Sequence, residues 1–288
     1  MINILVTGAQ GQVGSEIQEL SSEYIYNFFF TTKENLNIAL KEDVDNFIME
    51  YNIDIIINTA AYTAVDEAEY DVRNADTVNH QAVKYLAQSA KKNGIKLVHI
   101  SSDYVFDGKT YKPYTENDST NPSNVYGKTK LDGEIAMLDI NPQNSIIIRT
   151  SWVYSSFGNN FVKTMLRLGK EKDSLSMIFD QISTPTYAKD LAKMILDILP
   201  DIENEQVEIY NYSNEGVVSW YDFAKEIMYM AQLDCDIHPI ETKEYPTTAA
   251  RAHYSVLNKT KIKNEFGIII PYWKDSLDKC LKKMKERR

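Results

Sequence analysis

Tyr126 and Lys130 stand four residues apart in VYGKTK (125–130), with only small or polar residues between them. On a helix, positions i and i+4 share one face, so a phenol and an ammonium there can reach one ligand. The competing reading is a surface pair on a solvated helix. Upstream, HISSDYVFDG (99–108) sets Ser101 and Ser102 at the end of an apolar run. Near the N-terminus, VTGAQGQVGSEI holds Gly8, Gly11 and Gly14 between a predicted strand and a predicted helix. Glycines spaced in this way permit a tight turn, a close approach of backbone to a pyrophosphate, and close helix–strand packing. The helix N-terminus then offers free N–H groups to the phosphates. Ser102, Tyr126 and Lys130 converging on a dinucleotide would carry out hydride chemistry on a carbonyl. Ser102 would hold the carbonyl oxygen and Tyr126 would deliver a proton to it. Lys130, a nearby cation, would lower the phenol's pKa.

Such a constellation needs a scaffold, and the chain spells one. INILVT (2–7), YIYNFFFTT (24–32), DIIINTA (54–60), IKLVHISS (95–102), SIIIRTS (145–151) and VEIYNYS (207–213) are short apolar runs that alternate with helical patterns. Runs without polar alternation suit strands buried on both faces, and alternation with helices suits a parallel sheet. The expected class is α/β, a doubly wound parallel sheet of Rossmann type with a smaller C-terminal substrate domain. Residues 1–150 and 175–212 are expected to form the dinucleotide-binding unit. Residues 151–174 and 213–288 are expected to form the substrate unit. Ligands in such sheets sit beyond the carboxyl ends of the strands, which is where Ser101 and Ser102 fall.

Composition narrows the class. A chain of 288 residues can bury a large core. Its net charge of -10 argues against a nucleic-acid partner, which would require a basic face. No apolar run reaches the roughly 18 residues of a membrane span, and the apolar start is too short for a signal sequence. Cys235 and Cys280 lie far apart without metal-type spacing, as free thiols of a reducing cytoplasm would. The basic stretch KKMKERR reads as the solvated end of a last helix. In an NAD-binding unit, an acid about 20 residues after the glycines would hold the adenosine ribose. Here the stretch is FFFTTKEN, with Thr31, Thr32 and Lys33 at that place. Hydroxyls and an ammonium lean towards NADPH over NADH, unless Lys33 is only a solvent-facing residue.

With these motifs in view, the chain resembles the extended short-chain dehydrogenase/reductases, and within them the dTDP-4-dehydrorhamnose reductase family. The segments that carry the resemblance are GAQGQVGSEI, NTAAYTAVDEAE (58–69), VHISSDYVFDG, NVYGKTKLDGE (124–134), RTSWVYSSFGNNFVKTMLRL (149–168) and DQISTPTYAKDLA (180–192). The resemblance implies a nucleotide-sugar substrate and NADPH or NADH as cofactor. It implies cofactor contacts at Gly8, Gln10, Gly11, Gln12, Val13, Thr31, Asn58, Ala60, Ala61, Tyr62, Asn79, Tyr126 and Lys130. It implies substrate contacts at Ser102, Asp103, Tyr104, Trp152, Asn160 and Arg251. Asn79 is alternatively a capping or surface residue, and Trp152 alternatively a core indole. Related 4,6-dehydratases place an acid pair after the serine or threonine. Here Asp103 is followed by Tyr104, which favours simple reduction. Ala252 replaces a proline usual in the family's C-terminal loop. Some members dimerise around Mg2+, and Glu16 aligns with one of the carboxylates involved; its alternative is an ordinary first-turn helix acid. The chain is expected to be a monomer or homodimer. A non-catalytic NADP-binding regulatory subunit and a nucleotide-sugar epimerase or dehydratase are the rival functions.

Overall fold

The computed structural model describes residues 1–287. Six strands form one parallel sheet: β1 (Asn3–Thr7), β2 (Asn27–Thr31), β3 (Ile55–Asn58), β4 (Lys96–Ser102), β5 (Ile146–Thr150) and β6 (Glu208–Asn211). Their order is β6-β5-β4-β3-β1-β2, so the winding reverses between β1 and β3. That reversal opens a crevice at the carboxyl edge of the sheet.

The apolar runs become strands because each has two faces to bury. Ile4, Val6, Ile55, Ile57, Val98, Ile146 and Ile148 point into one core cluster. Leu5, Ile56, Leu97 and Ile147 alternate with them and point into another. The first face is covered by α1 (Gln12–Leu20) and α6 (Ala188–Ile198). The second is covered by α2 (Lys41–Tyr51), α3 (Ala82–Asn93) and α4 (Val125–Ile140). A sheet wetted on neither side needs no polar alternation, which is why these strands read as continuous β-branched runs. Gly94 closes α3 in the left-handed region, with φ +65°.

A third core cluster lies beyond the sheet. It is built by α5 (Phe161–Glu171), α7 (Trp220–Ala231) and α8 (Trp273–Glu286), with Phe223, Ile227, Trp273 and Leu277 at its centre. The segment Ser174–Ile178, expected from residue 175 on with the dinucleotide-binding unit, pairs in parallel with Asp236–Ile240 and buries Leu175 in this third cluster. Its pattern SLSMI alternates, as suits a strand with one wet face, unlike the strands of the main sheet.

The basic end of the chain is more than a solvated terminus. On α8, Lys283 Nζ bridges the carboxylates of Glu16 (2.6 Å) and Glu19 (2.7 Å) on α1. Arg287 also reaches Glu19, at 2.8 Å. The chain's two ends are thereby tied together.

The most deeply buried ion pair joins α4 to β5. Arg149 donates to both oxygens of Glu134, with Nη2 at 2.6 Å, and both side chains are almost fully buried. Ser101 Oγ donates to the same carboxylate at 2.5 Å. Removing one partner of a buried pair strands the other's charge, which typically costs about 3–5 kcal/mol. Glu134→Ala should therefore lower the unfolding free energy by about that much in denaturant titrations. The double variant Glu134→Leu/Arg149→Met should lose less than the sum of its two single changes.

Candidate active site

VYGKTK forms the first turns of α4. Asn124 caps the helix, its Oδ1 accepting from Gly127 N at 2.8 Å, and Glu69 accepts from Val125 N at 2.8 Å. Small residues let the helix sit close to its neighbours. A Cβ on Gly127 would lie 2.2 Å from the Tyr104 carbonyl oxygen, and one on Gly133 would lie 2.2 Å from that of Asn79. Asn79 itself is fully buried in a π-helical turn, Thr77–Gln81. Its side chain accepts from Tyr62 N (2.9 Å) and donates to Tyr62 O and Thr129 Oγ1 (both 3.1 Å). It is thus neither a cap nor a surface residue. It braces α4 from behind, and π-turns often mark functional sites.

Tyr126, Lys130 and Ser102 are all buried, and all border one cavity of about 1040 Å3. The Tyr126 ring packs edge-on against Tyr104, with centroids 5.3 Å apart. Ser102 Oγ accepts from Tyr104 N at 3.2 Å and donates to Asp103 Oδ1 at 3.1 Å. Burial, the largest influence, raises the phenol to about 12. This corrects the expectation that Lys130 lowers it. The lysine's Nζ donates instead to Ile100 O at 2.7 Å and lies 3.4 Å from His99 Nε2. Burial also brings Lys130 down, to about 8. The two groups face one cavity, but here the ammonium is turned towards the strand and each group is dominated by its own desolvation.

Among the expected cofactor residues, Gly8, Gly11, Gln12, Val13, Thr31, Ala60 and Ala61 line the cavity, and so does Lys33. Gln10 is exposed and outside the lining. Asn58 lies beneath it, accepting from Thr7 Oγ1 at 2.6 Å and meeting His99 Nδ1 at 3.0 Å. Tyr62, half-buried, and Asn79, fully buried, are also outside the lining, so the lining holds none of these three expected cofactor residues.

The fit to a dinucleotide rests on the turn at Gly8–Gly14. A Cβ on Gly8 would meet Ala60 backbone at 2.7 Å, and one on Gly14 would meet Gly8 O at 2.5 Å. Gly11 is the N-cap of α1 and brings no side-chain cap, so the first N–H groups of the helix stay available to an anion. The turn therefore fits a pyrophosphate, with Thr31, Thr32 and Lys33 further along the same cavity.

Among the expected substrate residues, Ser102, Asp103, Tyr104, Trp152 and Asn160 line the cavity. Trp152 adopts φ +45° and stacks on Trp220, with centroids 3.5 Å apart and planes 12° from parallel. It is half-buried at the rim and not a core indole. Trp220 escaped the sequence reading; its signal was an aromatic at the start of a helix after a capping serine, Ser219. Asn160 caps α5 and donates to Gln12 Oε1 at 3.0 Å, linking α5 to the glycine-rich turn. Arg251 opens on a smaller adjoining cavity shared with Asp103, Tyr104 and both tryptophans. It pairs with Asp66 at 2.6 Å and so is already partly satisfied by the chain itself. His99 also escaped the sequence reading, although a lone imidazole inside an apolar strand was a visible signal.

Glu16 fits neither of its sequence readings. It is fully buried on α1, with one oxygen accepting from Ser155 Oγ and the other from Lys283 Nζ, both at 2.6 Å. With an ammonium in place, the carboxylate does not offer a free Mg2+ site. Among the described residues, one trio of His and carboxylate groups falls within metal-ligand spacing, Asp76, His80 and Asp132, and it excludes Glu16.

Asp103 is almost wholly buried, and its Oδ2 has no hydrogen-bond partner among the described residues. Burial, the largest influence, raises its carboxyl to about 6 against the hydrogen bonds from Ser255 and Ser102. The folded state thus holds this proton more tightly than the unfolded chain does. Stability from this group is complete below about pH 4 and is lost as pH rises through about 6. Asp103→Asn should stabilise the protein at pH 7 by up to about 3 kcal/mol, with the gain vanishing near pH 4. Chemical unfolding across that pH range measures it, and a gain independent of pH would contradict the buried-acid account.

Comparison with known proteins places the chain and its fold in a family. The model of the family described as RmlD substrate binding domain matches residues 2–286. A dTDP-4-dehydrorhamnose reductase of Aggregatibacter actinomycetemcomitans is 41% identical, over 96% of this chain and 97% of its own. The spore coat polysaccharide biosynthesis protein SpsK of Bacillus subtilis is 40% identical, over 98% and 97%. A dTDP-4-dehydrorhamnose reductase of Bacillus anthracis, solved in complex with NADP, superposes with a TM-score of 0.94 at 36% identity, covering 98% of this chain and all of that one. Matched by the family model over residues 2–286 and by full-length relatives about two-fifths identical, the chain belongs to the RmlD substrate-binding-domain family.

Proposed function

We propose that this protein is an NAD(P)H-dependent reductase that converts the 4-keto group of dTDP-4-dehydro-L-rhamnose to the alcohol of dTDP-L-rhamnose. The observation that carries this reading is the meeting of Ser102, Tyr126 and Lys130 with the Gly8–Gly14 turn in one cavity. The names of the full-length relatives support the substrate. NADP in the Bacillus anthracis structure supports the cofactor.

The Gly8–Gly14 turn would hold the pyrophosphate of a reduced nicotinamide dinucleotide, whose chemistry there would be hydride donation. The protein's own groups do the rest. Ser102 directs its hydroxyl at the carbonyl oxygen, and the Tyr126 phenol gives that oxygen its proton. A phenol that burial keeps protonated suits a donor. Lys130 contributes a positive charge beside the oxygen that becomes negative. The stacked indoles of Trp152 and Trp220 present a flat apolar wall to a deoxysugar. Arg251, in the adjoining cavity, would bind the diphosphate by exchanging Asp66 for phosphate oxygens. Asp103 has Tyr104 after it where a dehydratase would need a second acid, so water loss has no acid pair to drive it. The unit around the third core cluster holds the sugar, and the six-stranded sheet holds the cofactor. No described helix is long and apolar enough to cross a membrane. The same reading sets the enzyme in the cytoplasm, as a monomer or homodimer.

Mixing the protein with NADPH and dTDP-4-dehydro-L-rhamnose should consume one NADPH per dTDP-L-rhamnose, followed by absorbance and chromatography. Folded protein that forms no product above background would overturn the proposal. Tyr126→Phe keeps the ring and removes the acid. It should slow turnover by about 10²–10⁴-fold while leaving cofactor affinity, read by fluorescence, near normal.

The cofactor preference is tested separately. With no carboxylate at Thr31–Lys33, NADPH should serve at least as well as NADH. Lys33→Glu should turn the preference towards NADH. A wild-type preference for NADH beyond about tenfold, or about 1.4 kcal/mol, would contradict the reading of that strand end.

A further inference from the structure

Among the fully buried titratable side chains that the described reaction leaves unused, His99 is the one within reach of Lys130. His99 lies on β4, three residues before Ser102, and is the one wholly buried histidine of the four in the chain. Its Nδ1 is 3.0 Å from Asn58 Nδ2 and its Nε2 is 3.4 Å from Lys130 Nζ. Asn58 in turn accepts from Thr7 Oγ1 at 2.6 Å. Thr7, Asn58 and His99 are register partners across β1, β3 and β4. A polar chain therefore runs beneath the cavity floor, strand to strand, and ends at the lysine.

Proton counting couples its members. Burial, reinforced by Lys130, holds the His99 imidazolium well below its ordinary pKa, so the ring is neutral and carries one N–H. A charged Lys130 only donates. Facing it, Nε2 must carry a lone pair, and the ring proton must sit on Nδ1. Asn58 then has to present its amide oxygen to the ring and its NH2 to Thr7. With the amide in the orientation described above, Nδ2 on the ring and Oδ1 on Thr7, the N–H falls on Nε2 and Lys130 has to be a neutral amine, so a charged lysine requires the amide turned over. Amide orientation and tautomer are assigned from such networks and are not read directly from heavy-atom positions. The charge of Lys130, the tautomer of His99 and the orientation of Asn58 are one linked choice.

We propose that His99 is the positioning residue for Lys130: its neutral Nε2 accepts from the ammonium, holding that cation charged and in place under the cavity. The inference rests on the reading of Tyr126 and Lys130 as the reacting pair. The other partner of Nζ is the Ile100 carbonyl. The charged groups around it do not duplicate the role. Glu134, on the same helix, is taken up by Arg149 of β5 and Ser101 of β4. Asp103 and Tyr126 lie on the cavity side. Among the described residues, only His99 offers Lys130 a side-chain lone pair from beneath.

Two variants and two readouts test this. His99→Leu removes the acceptor, while His99→Gln keeps one. Before cofactor is added, nitrogen NMR of isotope-labelled histidine should show His99 protonated at Nδ1 near neutral pH. NMR of labelled lysine should show Lys130 titrating about one pH unit lower in His99→Leu, the size expected for one hydrogen bond to a charged group. In His99→Gln it should stay near the wild-type value. The alkaline limb of kcat/KM for reduction should move with it, acid-ward in the leucine variant and little in the glutamine one. A ring protonated at Nε2, or equal lysine titrations in the leucine variant and the wild type, would overturn the proposal. Equal behaviour of the two variants would leave His99 with packing alone, which also overturns it. Should the leucine variant fail to fold, the wild-type tautomer and the glutamine titration still decide. The NMR measurements need no turnover, so failure of the proposed reaction would show separately, as absence of product in the wild type.

Discussion

This structure has to keep one ammonium, Lys130 Nζ, out of water at the carboxyl edge of a sheet. Burial alone works against the charge: a pKa near 8 in place of the ordinary lysine value corresponds to roughly 3 kcal/mol against the cation. The Ile100 carbonyl and the His99 ring answer it directly. Glu134, one helical turn on, favours the charge through space. Its own carboxylate is held by Arg149, so the lysine sits beside a neutralised pair and not beside a bare acid.

Delivering that lysine to its place constrains the whole helix. The α4 backbone must come within contact of the turn after β4 and of the π-turn before α3. Gly127 and Gly133 are the positions where any side chain would collide with those backbones. The π-turn lets Asn79 face inward and hold Tyr62 and Thr129 together. Asp103 shows the opposite tendency. A buried carboxyl with an unpartnered oxygen at the cavity is a local cost to folding, of the kind found where a site is built for a substrate and not for stability.

The two halves of the cavity are fastened to each other at several points. Gln12, beside the glycine-rich turn, meets Asn160 of α5 and the Val153 carbonyl. Glu16 and Glu19 hold Lys283 and Arg287 at the far end of the chain. These contacts hold α5 and α8 against α1 beside the glycine-rich turn. They also explain why the carboxylate at Glu16 serves as an anchor: it is spent on an ammonium of its own chain.

Much of this was legible in the residues alone. Continuous β-branched runs announce strands covered on both sides, because no polar position is needed where neither face meets water. Gly8, Gly11 and Gly14 after the first run announce a phosphate turn, because spacing along one strand–turn–helix unit is local geometry. Tyr126 and Lys130 share a helix face for the same reason. What depends on three dimensions was hidden. Sequence spacing placed the lysine near the tyrosine, but only packing shows its Nζ turned to Ile100 and His99, and only burial decides that the phenol rises instead of falling. Asn58 reads from the sequence as a cofactor contact, and only the register of β1, β3 and β4 shows it in a row with Thr7 and His99. Glu16 read as a Mg2+ carboxylate or an ordinary first-turn helix acid until a lysine 267 positions away closed over it. Local order follows from neighbours in the chain, whereas a charge state follows from everything that removes water from around it, and that is decided only when the chain has folded.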